Sequence, residues 1–406
     1  MIRSYHLFHL YTGKRVHLGV CGSIAAYKTL DLLRHLEKAG IDLGVTLTRA
    51  GQTFVPALNY QALGADPVFA PDNTNAEDTF AHLTPGKTSD CMLVAPATAN
   101  TMAQIAQGLA ADLLSCQILS FPGPILIAPA MNPAMWEANA TRHNWEILKR
   151  RGFIPVTPGS GNTACGDRGQ GRLAEDHIIF LNVLKSLSPQ DLSGRKILIT
   201  CGPTKEKFDA VRLWTNPSTG KMGFALATSA WLRGAQVWVV HGTETFPELP
   251  PDIKCIPARK AQTMHDAAID LWPDMDIGCF AAAVADYTPS NPLRHKSKKA
   301  GQNELTIKFS RTPDILAKAG KNKKNGQLLI GFAAETHDLK AACRAKLKQK
   351  NLDLIAGNLI GKMDSGFASD KNTVTLLDRR DRIESWPPLA KTEVAWRIWD
   401  WLLDLK

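Results

Sequence analysis

RVHLGVCGSIAAYKTLDLLRHLEKAGIDLGVTLT, residues 15–48, sets the fold class. Its first six residues are an apolar run of strand length, ended by Cys21-Gly22. Ile24, Tyr27, Leu30, Leu33 and Leu36 then recur at helical spacing, and Gly40 stops the run. IDLGVTLT (41–48) is a second strand and completes a β-α-β unit. Working outward, CMLVAPAT (91–98) and PILIAPA (124–130) read as further strands. MAQIAQGLAADLL (102–114) and NPAMWEANATRHNWEILKRRG (132–152) read as one helix each. Strands alternating with helices imply a parallel sheet covered on both faces.

RKILITCGPT (195–204) starts the same pattern again. A helix through GKMGFALATSAWLRG follows, then strands in AQVWVVHG, DIGCFAAAVADY, QLLIGFAAET and LDLIAGN. The polar, proline-bearing LSPQDLSG (187–194) separates the halves, so the expected domains are 1–188 and 189–406. The expected class is α/β with two Rossmann-like domains. At the C-terminus Val394, Ile398, Trp401, Leu402 and Leu405 predict a docking helix.

The totals exclude several classes. The chain has 406 residues, 44% hydrophobic and 21% charged, as globular proteins do. No apolar run reaches membrane-span length. Eight cysteines without a CxxC pair argue for a reducing, cytoplasmic compartment and against structural zinc. The net charge of +10 suits anionic substrates; the lysines at 296, 298, 299, 321, 323 and 324 lack the interleaved aromatics of a nucleic-acid surface.

In doubly wound sheets, ligands bind beyond the carboxyl ends of the strands. Gly22-Ser23 stands there before a helix, which makes an anion site, although GxGxxG is absent. Thr98, Asn100 and Thr101 follow a second strand, and Asn132 a third. GNTACGDRGQGRLAE (161–175) shows no apolar period, so it reads as neither helix nor strand. It carries Cys165 among four glycines, as a thiol on a flexible flap would be carried. In the second half, Asn216, Ser218, Thr219, Gly220 and Lys221 precede a helix. They fit either a well-capped helix start or an anion site.

GSIAAYK, AHL, APATAN, PAMNPAMW and ACGDRGQGR, in this order, resemble the flavin-containing cysteine decarboxylases. GPTKEKFDAVRLWTNPSTGKMGFALA, AAAVADY, KSKK, TPDIL, GFAAET and AKLKQKNLDLI resemble phosphopantothenate–cysteine ligases. Together they resemble the bifunctional phosphopantothenoylcysteine decarboxylase/phosphopantothenate–cysteine ligase family of coenzyme A synthesis. The resemblance implies a flavodoxin-like FMN half and a parallel-sheet, CTP-using ligase half. It implies FMN contacts at Gly22, Ser23, Ile24, Thr48, Ala97, Thr98 and Asn100, with His82, Asn132 and Cys165 catalytic. It implies CTP contacts at Ala281, Ala282, Ala283, Asp286, Lys296, Pro313, Asp314, Ile315, Leu316, Phe332, Lys346 and Lys350. Asn216 and Lys296 would serve the acyl-cytidylate step, and Mg2+ would arrive on the CTP phosphates without a dedicated site. The implied substrates are 4'-phosphopantothenate, cysteine, CTP and 4'-phosphopantothenoylcysteine, with no nucleic acid or membrane partner. The implied assembly is a homo-oligomer of decarboxylase trimers and ligase dimers, up to a dodecamer.

Overall fold

The computed structural model describes residues 8–71, 79–244, 249–297, 305–359 and 369–405. They form two compact units that divide between Ser188 and Pro189.

The first unit runs β1 (Arg15–Val20), α1 (Lys28–Lys38), β2 (Asp42–Leu47), α2 (Arg49–Phe54), α3 (Ala57–Ala62) and β3 (Val68–Phe69). It continues with α4 (Thr84–Thr88), β4 (Cys91–Ala97), α5 (Ala99–Gln107), α6 (Leu113–Ser120), β5 (Ile125–Pro129), α7 (Pro133–Glu137), α8 (Asn139–Arg150) and β6 (Ile154–Pro155). β7 (Gly159–Asn162), β8 (Arg168–Arg172) and α9 (Asp176–Leu187) close it. The six-stranded sheet has order β3-β2-β1-β4-β5-β6 and every pairing is parallel. This is the doubly wound order, with its topological switch between β1 and β4. Val16, Leu18 and Val20 are fully buried because helices cover both faces.

Four expectations change here. Ile24 and Tyr27 are each 58% exposed; Leu33 and Leu36 are buried as expected, and Thr29 and Leu32 complete the buried face of α1. The reason is that Ile24–Tyr27 is a 3-10 turn, whose tighter winding shifts the phase of the apolar face. The 102–114 stretch is not one helix: Gly108 takes φ +71 and ends α5, and Asp112 with Ser115 forms a capping box that starts α6. The 132–152 stretch also breaks, at Ala138. Trp136 and Trp145, nine residues apart, would face opposite sides of a straight helix of about 3.6 residues per turn. The break lets both bury, edge to face at 5.4 Å. Lastly, the Cys165 stretch is not irregular. β7 and β8 pair antiparallel around it, a hairpin held by backbone hydrogen bonds and therefore invisible in side-chain periodicity.

The second unit runs β9 (Lys196–Cys201), β10 (Lys205–Lys207), β11 (Leu213–Thr215), α10 (Lys221–Leu232), β12 (Gln236–His241), β13 (Lys254–Pro257) and α11 (Ala261–Leu271). Next come β14 (Ile277–Phe280), β15 (Tyr287–Pro289), β16 (Phe309–Arg311), α12 (Ile315–Lys321), β17 (Leu328–Glu335), α13 (Leu339–Gln349) and β18 (Leu354–Leu359). β19 (Lys371–Asn372), β20 (Val374–Asp378), β21 (Ile383–Ser385), β22 (Leu389–Ala390) and α14 (Lys391–Leu403) complete it. The parallel part of the sheet has order β13-β12-β9-β14-β17-β18, the same doubly wound path, and antiparallel β20 and β21 extend its edge. In α14, Val394, Ile398 and Leu402 are fully buried, as docking requires. Gly202 and Gly220 both have positive φ, and a Cβ on either would meet the Thr243 side chain at under 3.0 Å. Only glycine lets the start of α10 lie this close to the end of β9.

Candidate active sites

Four strands of the first unit end on a helix-capping residue. Ser23 follows β1 and accepts from Ala25 N at 3.3 Å. Thr48 follows β2 and accepts from Gly51 N at 3.1 Å. Thr98 follows β4 and accepts from Thr101 N at 3.3 Å. Asn132 caps α7 beyond β5, its Oδ1 accepting from Ala134 N at 2.8 Å. Hydroxyls and the positive ends of helices thus meet at the carboxyl edge of one sheet, a setting for a phosphate. A cleft of about 480 Å³ opens there, lined by Gly22, Ser23, Thr48, Thr98, Asn100 and also by Arg49, Asp112 and Met131. Gly22 must be glycine, since its Cβ would lie 2.3 Å from that of Ala50. Of the expected cofactor contacts, Ile24 points to solvent and Ala97 is wholly buried; neither lines the cleft. Arg49 and Asp112 were missed because capping and wall positions leave no motif of their own, and Met131 lies within PAMNPAMW without having been singled out.

The cleft wall continues into the thiol hairpin. Met131 N donates to Gly171 O at 2.9 Å, and Trp136 Nε1 donates to Gln170 Oε1 at 3.2 Å. A Cβ at Gly171 would sit 2.6 Å from Met131 O, and one at Gly169 would sit 2.8 Å from Pro133. These two glycines therefore serve close packing on the Met131–Pro133 segment. Gly166, with φ +91 and open space around it, forms the turn. At that turn Asn132 Nδ2 donates to Cys165 Sγ at 3.2 Å and to Asp167 Oδ2 at 2.5 Å. Thr163 Oγ1 lies 3.1 Å from the same sulfur. The Thr163 hydroxyl, then the Asp167 backbone and the Asn132 amide, hold the exposed thiol below its ordinary pKa. Cys21, by contrast, is buried behind the cleft and pushed up to about 11, so it is inert. His82 stands on an exposed turn before α4, and its ring does not line the cleft.

In the second unit Asn216 Nδ2 donates to Ala283 O and Val284 O, both at 3.2 Å. Thr312 ties the next step: its N donates to Asp286 O at 3.0 Å and its Oγ1 to Ala285 O at 2.6 Å. Asp314 then caps α12 and pairs with Lys350 at 2.8 Å, while Lys346 pairs with Glu335 at 2.6 Å. Asn216, Ala283, Asp286, Asp314, Lys346 and Lys350 are thereby linked along the carboxyl edge. Ile315 is 4% exposed and packs in the core, which leaves its backbone alone for a ligand. Phe332 is half-buried on β17. Gly220 occupies the N-cap of α10 and brings no side-chain acceptor, which favours the anion reading over the capped-helix reading. Lys221 pairs with Asp370 at 2.6 Å, a partner 149 residues away that no local pattern announces. Lys296 is exposed, and the following Ser297 N donates to buried Asp209 Oδ2 at 3.1 Å. Lys298 and Lys299 lie outside the described residues.

These features belong to a two-part α/β enzyme, with a hydroxyl-lined cleft beside an exposed thiol in one half and a lysine-bearing carboxyl edge in the other. Residues 6–188 match the family described as Flavoprotein. Residues 192–405 match the one described as DNA/pantothenate metabolism flavoprotein C-terminal domain. The chain is 41% identical to the coenzyme A biosynthesis bifunctional protein CoaBC of Escherichia coli (strain K12) over 368 residues, 90% of each chain. It is 37% identical to CoaBC of Bacillus subtilis (strain 168) over 390 residues, 95% of each. A crystal structure of the C-terminal domain of a CoaBC protein covers 53% of this chain and 96% of its own, at 37% identity and a TM-score of 0.44. The chain belongs to the family of bifunctional coenzyme A biosynthesis proteins, which join a phosphopantothenoylcysteine decarboxylase to a phosphopantothenate–cysteine ligase.

Proposed function

We propose that this chain converts 4'-phosphopantothenate and cysteine to 4'-phosphopantetheine, with the ligase in 189–406 and the decarboxylase in 1–188. The observation that carries the reading is the Asn132–Cys165–Asp167 cluster on a hairpin docked against the phosphate cleft.

In the ligase half, the substrate carboxylate attacks the α-phosphorus of CTP, giving an acyl-cytidylate and pyrophosphate. The cysteine amine then displaces CMP and forms the amide. Lys296, Lys346 and Lys350 offset the phosphate charge, with Mg2+ arriving on the triphosphate. Lys346 and Lys350 are already balanced by Glu335 and Asp314, so nucleotide binding exchanges partners rather than filling bare cations.

In the decarboxylase half, the donor set fits FMN: hydroxyls and helix N-termini suit its phosphate, and Ala130, Met131 and Met135 offer an apolar wall. Bound FMN supplies a two-electron acceptor and donor for the cysteinyl CH2–SH carbon. Oxidation to the thioaldehyde places an electron sink β to the carboxylate, and CO2 loss leaves an enethiolate. Asn132 holds the carboxylate through its NH2, which donates to Cys165 and Asp167 in the free protein and exchanges one of them for the substrate, while its Oδ1 stays on Ala134 N. Cys165 delivers the proton to carbon, and Thr163 stabilises the thiolate left behind. His82 assists at the substrate thiol or positions the substrate.

We also propose a homo-oligomer in a cytoplasmic setting. Trp214 and Phe309 are exposed on the ligase hairpins with their rings 5.1 Å apart, an apolar surface that supports pairing of ligase halves. No helix among the described residues is long and apolar enough to cross a membrane. The test is incubation with 4'-phosphopantothenate, cysteine, CTP and Mg2+, followed by mass spectrometry. Formation of 4'-phosphopantetheine supports the reading; failure to form it sinks it.

A further inference from the structure

The exposed turn that carries His82 is held by two side chains of α6. Ser120 Oγ donates to the His82 carbonyl at 2.7 Å; its other acceptor, Gln117 O, is farther at 3.1 Å. Gln117 Nε2 donates to the Ala81 carbonyl at 2.9 Å. Gln117 is fully buried, and its orientation is forced. A carbonyl can only accept, so the amide NH2 faces Ala81. Gln117 Oε1 then accepts from Thr46 Oγ1 at 2.7 Å, and Thr46, its one proton used, accepts from His17 Nε2 at 2.7 Å. Burial, with the Arg15 charge adding, pushes His17 down to about 3, so this chain keeps its direction across the working pH range.

We infer that Gln117 and Ser120 are positioning residues of the decarboxylase, clamping the Ala81 and His82 carbonyls to α6 so that the exposed His82 imidazole is held in one place for the reaction. α6 is suited to this. Its N-cap, Asp112, lines the cleft, and Ser120 is its last residue, about 12 Å further along at 1.5 Å per residue. The inference rests on the reading of His82 as catalytic.

The test uses the full-length protein with its flavin as purified. Ser120→Ala should lower decarboxylase kcat about three- to tenfold, the worth of one neutral hydrogen bond. KM for 4'-phosphopantothenoylcysteine, the visible flavin spectrum and ligase activity should not move. Ser120→Thr, which keeps the hydroxyl, should restore kcat. Gln117→Met should act in the same direction, and Ser120 carries the test if that core variant folds poorly. In a His82→Ala background, Ser120→Ala should cause no further loss. Parental kcat in Ser120→Ala, or an equal loss in both backgrounds, overturns the positioning role while leaving His82 intact. Parental kcat in His82→Ala itself overturns the reading of His82, and the inference with it.

Discussion

Asn132 Nδ2 lies 3.2 Å from Cys165 Sγ and 2.5 Å from Asp167 Oδ2, so one amide reaches both the thiol and the carboxylate beside it. The two residues are 33 positions apart, on a helix cap and a hairpin turn. Their meeting places the lone thiol beside an amide and a carboxylate, as the proposed proton donor requires.

Cys165→Ser should leave flavin binding and CO2 loss in place but stop the final protonation. A serine hydroxyl is a far weaker acid than a thiol of ordinary pKa about 8.5. Mass spectrometry should find the oxidised enethiol, lighter than the product by one H2. Normal product at the parental rate would remove Cys165 from the mechanism.

Thr163→Val tests the environment of that thiol. The Thr163 hydroxyl is the foremost cause of its lowered pKa, so losing it must raise the pKa. The pH midpoint of Cys165 alkylation should move to higher pH. An unmoved midpoint would show that Asn132 and the Asp167 backbone suffice.

Lys296→Gln should lower acyl-cytidylate formation by roughly two to three orders of magnitude, as loss of one transition-state donor does. Decarboxylase activity of the same preparation should stay at the parental level. Loss of both activities would report damaged folding instead.

Lys391 is 6% exposed at the start of α14. Burial, then the Lys221 charge, pushes its amine down to about 8, with Asp370 opposing. The unfolded chain therefore holds more protons between about pH 8 and the ordinary 10.5, and this group's contribution to stability rises with pH across that window. Below pH 8 its full cost is present, on the order of 3 kcal/mol at about 1.4 kcal/mol per pKa unit. Lys391→Met should stabilise the protein at pH 7, with the gain shrinking as pH climbs through the window. Urea unfolding of both proteins at several pH values checks this; a gain independent of pH would contradict it.

Fragments 1–188 and 189–406, made separately, should each fold, the first yellow and the second colourless. Each contains a complete doubly wound sheet and its own core. Circular dichroism and flavin absorbance decide it, and a fragment that stays unfolded would place the boundary elsewhere.

By itself the sequence determined the apolar central strands of both sheets, their alternation with helices, and polar residues just past several of them. Those signals are local: burial on both sides makes a strand continuously apolar, and a ligand edge makes its end polar. Ser23, Thr98 and Asn132 were legible for this reason, while Thr48 came only with the family resemblance. Tertiary structure alone decided that the Cys165 stretch pairs as a hairpin, and that Glu335, Asp314 and Asp370 neutralise the ligase lysines. It also decided that Gln117, 36 positions from Ala81, holds the His82 turn. Each of these depends on a hydrogen bond or ion pair whose partner comes from another strand or helix, or on backbone pairing that side chains do not encode. A periodicity read along one segment cannot contain the segment it will meet.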